Sequence, residues 1–344
     1  MDVGSNTVRL MVAEGRSGPE RGDKRPPFDV MARRFKITRL GEGMGDGWKE
    51  GRALKRGAIE RTVGALSQFK EEWTRLKVYD YRVVATSAAR EAENGGELVD
   101  AAEDLGIAVE IISELEEARL SLVGIAGSAG IDIDRGSALI FDVGGGSTEF
   151  TLTENGRVLG TLSTDLGVVR LTEMFVAHNP PEEREILNIE KFVENRLSMI
   201  YNRLTAGDGK WSGNGGKGGM EGDRVDFPKL PFDRLVGTAG TVTTLAAIDM
   251  GVESVDKYDP ARVDGYRLDR SRISGIFDIL RSIPNEERLS RYPVLEKGRE
   301  DVIVAGVVIV LSVMKTFGQK LLTASDSGLL EGIVVDLIGL DKVD

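Results

Sequence analysis

Alternating apolar and polar positions mark two stretches of this chain, and in each the alternation runs through a tight glycine turn. Residues 2–14, DVGSNTVRLMVAE, predict a strand, a turn and a second strand. Residues 137–154 repeat that plan with a full apolar lead-in: SALIFDV, then the turn within DVGGGS, then TEFTLTE. A polar stretch at 15–27 predicts a hairpin loop, after which alternation resumes over 28–40. Leu54, Ile59, Val63, Leu66 and Phe69 recur at helical spacing and predict a helix over roughly 49–76. Short strands are expected at 81–86 and 108–113, with helical stretches opening at 87 and 114. Further helices are expected at about 168–177 and 182–205, at 269–283, at 285–290 and at 299–317. Between them, 233–249 reads as strand, glycine turn and helix. Strands and helices intermixed in this order predict an α/β fold of two similar lobes.

Composition narrows the chemistry. The 344 residues suffice for two domains with full cores, and 41% hydrophobic with 29% charged residues describes a soluble globular chain. There is no cysteine, so disulfides, thiolate metal sites and thiol nucleophiles are excluded, and a reducing, cytoplasmic setting is expected. With His178 as the single histidine, a histidine metal cluster is excluded; His178 itself reads as a loop residue before a helix capped by Asn179. A formal charge of −11 argues against DNA or RNA as a partner. From the start, MDVGSN, no secretory leader is expected. The apolar run at 302–314 is too short to span a bilayer and predicts a buried helix, so no membrane partner is expected. Eight glycines in 207–222 predict a flexible surface insertion within about 206–224.

The glycine turns carry the candidate site. Gly4, Gly144, Gly145 and Gly146 let a ligand approach the backbone, and successive free amides in such turns form anion-binding nests. Asp2 and Asp142, at the heads of the turns, would repel a phosphate unless a divalent cation intervened. Two copies of Asp-Val-Gly therefore point to a phosphate chain held together with a metal. GTAGT at 237–241 offers a third anion site at a helix N-terminus, against the plain alternative of an ordinary strand–helix turn. Glu149 lies on the far strand of the second hairpin, where it joins Asp142 around one Mg²⁺ or is a solvent-facing charge on an edge strand. Glu116, Glu117 and Arg119 open a helix; acidic residues favour first turns for electrostatic reasons alone, yet a carboxylate there is placed to accept a proton from water. Thr86, Ser87 and Arg90 sit where a strand meets a helix, and Arg90 is a phosphate partner or a surface cation.

Together these phrases resemble the exopolyphosphatase / guanosine pentaphosphate phosphohydrolase (Ppx/GppA) family of the actin–hexokinase–Hsp70-like superfamily. The matching stretches, in family order, are DVGSNTVRLMVAE, RLGEGM, VVATSAAREAEN, IISELEEARLSLVGI, LIFDVGGGSTEFTL, LGVVRLTEMF, VGTAGTVTTLAAI, GREDVIVAG and SDSGLLEG. The resemblance implies two actin-like (ribonuclease H-like) lobes around a cleft. The first would span 1–128 with the C-terminal segment from about 325 to 344, and the second 129–324. It implies Glu117 as the base that activates water, and Asp142 and Glu149, with Asp2 beside them, as the carboxylates for Mg²⁺. Phosphate-loop positions would be Gly4, Ser5 and Asn6, then Gly144, Gly145, Gly146 and Ser147, then Gly237, Thr238, Ala239 and Gly240, with Arg90 as a basic residue of the cleft.

Two departures stand out. Members usually place apolar residues before the first Asp, whereas here Asp2 follows Met1, so a short first strand is expected. Glu114 also stands where the family usually has Gly, adding negative charge near the proposed base. The implied activity is release of a terminal phosphate from polyphosphate or guanosine pentaphosphate, with that polyanion as the partner and a homodimer as the one assembly left open. Two other readings stay in play: an ATP-dependent phosphotransferase of the same superfamily, and a nucleotide- or polyphosphate-binding sensor without hydrolysis.

Overall fold

The computed structural model describes residues 1–16, 26–44, 53–127, 131–206 and 232–339; the glycine-rich segment 207–222 and part of the first hairpin loop lie outside the described residues. The chain divides into two compact units, Met1–Ala129 with Ser327–Asp344, and Gly130–Asp326. The first contains β1 (Asp2–Val3), β2 (Thr7–Gly15), β3 (Phe28–Ile37), α1 (Arg56–Arg75), β4 (Val84–Ala85), α2 (Ser87–Glu91), α3 (Gly95–Glu103), β5 (Glu110–Ile111) and α4 (Glu114–Ala126). The second contains β6 (Ser137–Val143), β7 (Thr148–Glu154), β8 (Arg157–Thr164), α5 (Val168–Phe175), α6 (Glu183–Ala206), β9 (Arg234–Thr238) and α7 (Ala239–Asp249). It continues through α8 (Pro260–Val263), β10 (Arg267–Asp269), α9 (Arg270–Ser282), α10 (Asn285–Arg291), α11 (Ile303–Thr316) and β11 (Leu321–Ala324). The chain then returns to the first unit as α12 (Leu329–Leu337).

The two sheets are built on one plan. In the first the order is β3-β2-β1-β4-β5, and in the second β8-β7-β6-β9-β11 with β10 added at the edge. In both, the three leading strands form an antiparallel meander and the central strand takes two parallel neighbours on its other side. Even the irregularities correspond. The register shifts between Val12 and Ala13 in β2 and between Leu152 and Thr153 in β7, at the same distance from the respective glycine turn. Two mixed α/β sheets in two units are the architecture that the superfamily resemblance implied.

Each sheet is packed by helices that bury its apolar alternation. Val8, Leu10 and Val12 of β2 lie under Ile59, Leu66, Phe69 and Trp73 of α1. Met11 and Phe28, on the opposite face, meet Leu330, Val334 and Val335 of α12. In the second unit Phe141 and Phe150 stack across the β6–β7 pair with ring centroids 6.3 Å apart. The apolar run beginning at Val302 forms α11, nearly every residue of which is buried, as its hydrophobicity on all sides requires.

Several elements differ from the sequence expectation. Helix α1 begins at Arg56 instead of near 49 and leaves Leu54 outside. The Asn94 side chain accepts from Leu54 N–H (2.7 Å) and donates to Leu54 C=O (3.1 Å), so that residue's backbone is satisfied without a helix. The helix expected from 87 is broken at Asn94 into α2 and α3. Strand β8 was not anticipated, although Asn155-Gly156 between alternating runs is a hairpin signal; their φ angles of 49° and 76° are those of a type I′ turn. Asn179 does not cap α6, which starts at Glu183; its Oδ1 accepts from Asn285 N–H at 2.9 Å. Glu185 serves α6 instead, accepting from Glu182 N–H at 2.9 Å, from Ala177 N–H at 2.7 Å and pairing with His178 Nδ1 at 2.9 Å.

Two outcomes test this packing. Helices α4 and α12 cross so closely that a methyl on Gly332 would lie 1.8 Å from Leu120 C=O. Gly332→Ala should lower unfolding free energy in urea by about 1–3 kcal/mol. The hydrogen bond to Glu185 raises His178 above its ordinary value of 6.5. A raised value means the His178 contribution is complete below 6.5 and is lost as pH rises through the folded-state value. The sole imidazole resonance should therefore titrate above 6.5 by NMR, and in Glu185→Gln it should return toward that value.

Candidate functional site

In both hairpins the turn is closed the same way. Gly4 N–H donates to Thr7 C=O at 3.0 Å, and Gly144 N–H donates to Ser147 C=O at 2.9 Å. Behind each turn, the chain leaving the third strand comes back to donate to the turn carbonyls. In the first unit Gly41 N–H donates to Ser5 C=O (2.8 Å), and Thr38 and Arg39 N–H both donate to Asn6 C=O (3.0 Å each). In the second, Val168 N–H donates to Gly144 C=O (3.0 Å) and Val169 N–H to Gly145 C=O (2.9 Å), so the first turn of α5 is spent on the hairpin. A trans peptide points its N–H opposite to its C=O. With the Gly144 and Gly145 carbonyls turned to α5, the Gly145 and Gly146 amides face the other way, and no protein oxygen among the described residues accepts from them. That leaves a pair of adjacent donors with the geometry of an anion nest. Beside the first turn, the Ser5 and Ser87 hydroxyls share a hydrogen bond at 2.9 Å, and Asn6 Oδ1 is buried without a protein partner among the described residues.

The register of the second sheet assembles the carboxylates. Asp142 on β6 lies directly opposite Glu149 on β7, Glu149 lies opposite Ser163 on β8, and Asp142 is level with Thr238 on β9. Residues in such register share a sheet face, so Ser163, Glu149, Asp142 and Thr238 form one polar row at the carboxyl ends of the parallel strands. Ser163 Oγ donates to Glu149 Oε1 at 3.0 Å. Glu149 is 8% exposed on an inner strand, which removes the alternative of a solvent-facing edge charge. Like charges directly opposite on neighbouring strands are destabilising. Two carboxylates in that arrangement match the hard-oxygen donor set of Mg²⁺. Among the described residues no three Asp, Glu or His side chains gather as a metal cage, so the pair would leave most of the ion's shell to water and phosphate oxygens.

The first hairpin differs at the corresponding position. Asp2 lies opposite Arg9. Burial raises the Asp2 carboxyl above its ordinary range, and the Arg9 charge pulls against that shift. Asp2 thus has a cation supplied by its own sheet, where Asp142 faces a second carboxylate.

Glu117 is separated from its neighbours by pairing. Ser113 caps α4, its Oγ accepting from Glu116 N–H at 3.2 Å. Glu116 is drawn to Arg119 (2.9 Å) and Arg82 (3.2 Å), and the Arg119 hydrogen bond holds its carboxyl below the ordinary range. Glu117 instead meets Arg90, whose Nη1 donates to Glu117 Oε2 at 2.8 Å and to Ile112 C=O at 3.0 Å. The sequence expectation thus brings together Ser5 with the α2 start, and Arg90 with Glu117, in the first unit. In the second unit it brings together Asp142, Glu149 and Thr238.

The third loop follows β9. Ala239 takes φ +69°, a left-handed conformation that costs a non-glycine residue roughly 1–3 kcal/mol and is found where a loop's shape matters. A methyl on Gly240 would lie 1.4 Å from Arg299 Nη1, so the glycine is what admits that guanidinium against the α7 N-terminus. Arg299 Nε pairs with Glu296 Oε2 at 2.6 Å. The next residue is fixed by Arg288, 1% exposed, which donates to Glu300 C=O (2.6 Å), Asn285 Oδ1 (2.6 Å) and Leu280 C=O (2.7 Å). Burial lowers Arg288 to about 10. Ser163, Arg299 and Arg288 were all missed by sequence reasoning. Only Arg299 lay in a stretch singled out earlier, GREDVIVAG, and nothing local showed that it reaches Gly240.

Comparison with known proteins settles the family. The model of the Ppx/GppA phosphatase family matches residues 19–340. The chain belongs to the Ppx/GppA phosphatase family. It is 30% identical over 352 aligned residues to Exopolyphosphatase 2 of Mycobacterium tuberculosis, covering 98% of both proteins. It is similar to the crystal structure of the Aquifex aeolicus Ppx/GppA family member, with 31% identity, a TM-score of 0.73, and coverage of 100% of this chain and 97% of that one. An exopolyphosphatase from Cytophaga hutchinsonii shares the fold at a TM-score of 0.78 and 22% identity, covering 98% of this chain and 96% of that one. Within this Ppx/GppA chain, one contact tests the hairpin geometry. A methyl on Gly167 would lie 2.2 Å from Gly146 C and 2.3 Å from Gly145 O. Gly167→Ala should push α5 off the turn and cut phosphate release by about 10²-fold or more, as misplacement of about 1 Å can. Circular dichroism should show retained secondary structure.

Proposed function

We propose that the protein is a Mg²⁺-dependent hydrolase that releases the terminal phosphate of inorganic polyphosphate, of guanosine pentaphosphate, or of both. One observation carries the reading: opposed Asp142 and Glu149 call for a cation, and two unused amides in the same hairpin call for an anion. A magnesium-bound phosphate answers both. The name of the Mycobacterium tuberculosis relative supports polyphosphate as the substrate class. When bound, the ion would supply positive charge against the phosphate oxygens. Asp142 and Glu149 would hold it, and Asp2, already offset by Arg9, is assigned to the first phosphate turn instead of to the metal.

The remaining chemistry belongs to side chains and amides. Glu117 accepts a proton from water as the water oxygen bonds to the end phosphorus, and the bridging P–O bond breaks. The shortened chain leaves with that bond's electron pair, and the proton passes from Glu117 to solvent. Gly145, Gly146 and the Thr238–Gly240 loop donate to phosphate oxygens whose charge changes during transfer. In reactions of this kind positioning and electrostatic stabilisation dominate.

The Arg90–Glu117 ion pair also suits a second reading, a sensor that binds polyphosphate without cleaving it, since a carboxylate held by a guanidinium is an occupied base. Phosphate release should be measured with Mg²⁺ on long and short polyphosphate, guanosine pentaphosphate, GTP and ATP. Release without any acceptor is expected; tight binding with no release would favour the sensor, and acceptor dependence a phosphotransferase. Glu117→Gln should lower turnover by about 10²–10⁴ while Mg²⁺-dependent binding survives. Loss of binding in that variant would make Glu117 a ligand residue.

A further inference from the structure

We infer that Arg90 is a substrate-operated clamp on Glu117: it holds the carboxylate in the free protein and is drawn off by the phosphate, which frees the base only when substrate is present. The inference rests on Glu117 being the general base. Its structural ground is the 2.8 Å pair between two side chains that are 18% and 13% exposed, where water screens little of the attraction. Arg90 is on α2, just past Ser87, whose hydroxyl bonds to Ser5 of the first glycine turn. The guanidinium is therefore tied to an element that packs on a phosphate turn. Its hydrogen bond to Ile112 C=O gives it a neutral anchor to keep when the carboxylate is exchanged for phosphate. A guanidinium binds carboxylate and phosphate through the same planar fork, so the exchange preserves its hydrogen bonding.

The exchange uncovers the base. In the free protein Glu117 Oε2 is occupied by the Arg90 guanidinium. Moving the guanidinium onto phosphate leaves that oxygen open to a water at the moment it must be deprotonated. The other charged groups around it are largely committed elsewhere. On α4, Glu116 and Arg119 pair with each other, and Glu114 and Ser113 precede them. On α12, Asp336 pairs with Arg82 and Arg119, and Glu331 with Arg33. Glu110 on β5 pairs with Arg82, and Glu91 follows Arg90 on α2.

A double-mutant cycle tests the clamp, with a methylene-bridged triphosphate and Mg²⁺ as the non-hydrolysed probe and titration calorimetry as the readout. If substrate has to pull Arg90 from Glu117, Glu117→Gln should bind the probe about threefold to tenfold more tightly than the natural protein. In an Arg90→Gln background the same change should give no comparable gain, because no clamp remains to release. An equal gain in both backgrounds would show general charge repulsion only and overturn the inference, as would weaker binding in Glu117→Gln. Should Arg90→Gln not fold, Arg90→Lys decides the matter. Glu117→Gln should tighten the probe less in that background than in the natural protein, and an equal gain would overturn the clamp. Failure of either measurement leaves the hydrolase reading intact, whereas sustained turnover by Glu117→Gln removes the base on which both depend.

Discussion

The docking of returning backbone onto the carbonyls of each glycine turn is the constraint from which the rest of the site follows. Amides at 38, 39 and 41 occupy the first turn's carbonyls, and those of 168 and 169 occupy the second's. Peptide planarity then leaves no choice about where the opposite N–H groups point. The outward direction of those donors is thus produced by packing behind the turn. A surface loop of the same composition would lack that backing and would average its amides over many directions.

One sheet plan occurs twice, and the two copies differ in charge at one cross-strand position. The strand order, the glycine turn and the bulge after it are shared between the two sheets. Opposite Asp2 stands Arg9, and opposite Asp142 stands Glu149. One hairpin sets a carboxylate against a guanidinium, and the other sets two carboxylates against each other. Two sheets built on one plan thus differ in the sign of a single cross-strand neighbour.

Pairing likewise distinguishes three glutamates that look alike in sequence. Glu114, Glu116 and Glu117 all lie in the first turn of α4, where the helix dipole favours each of them. Glu116 is absorbed into a network with Arg82, Arg119 and, through them, Asp336. Glu117 alone of the three pairs with Arg90. Glu117 thus meets a guanidinium carried by α2, the helix whose first residue bonds to Ser5 of the glycine turn, while Glu116 does not.

Read alone, the chain already specified both hairpins, the buried helix α11, the strand–turn–helix at 233–249 and the family resemblance. Each of these rests on local alternation, on glycine where the backbone turns sharply, or on an unbroken apolar run. The β7–β8 hairpin was equally local, in Asn155-Gly156, and went unread. Three other features depended on residues far apart in the chain. Leu54 leaves the helix because Asn94 satisfies its backbone, Ser163 reaches Glu149 because β8 pairs with β7, and Arg299 fills the space over Gly240. Local pattern determines where strands, turns and helices form because the forces behind it act within a few residues. Which charge meets which is a matter of register and packing. The short second hairpin already set Glu149 beside Asp142 in the sequence, whereas the pairing of Asp2 with Arg9 and of Glu117 with Arg90 came only with the folded chain.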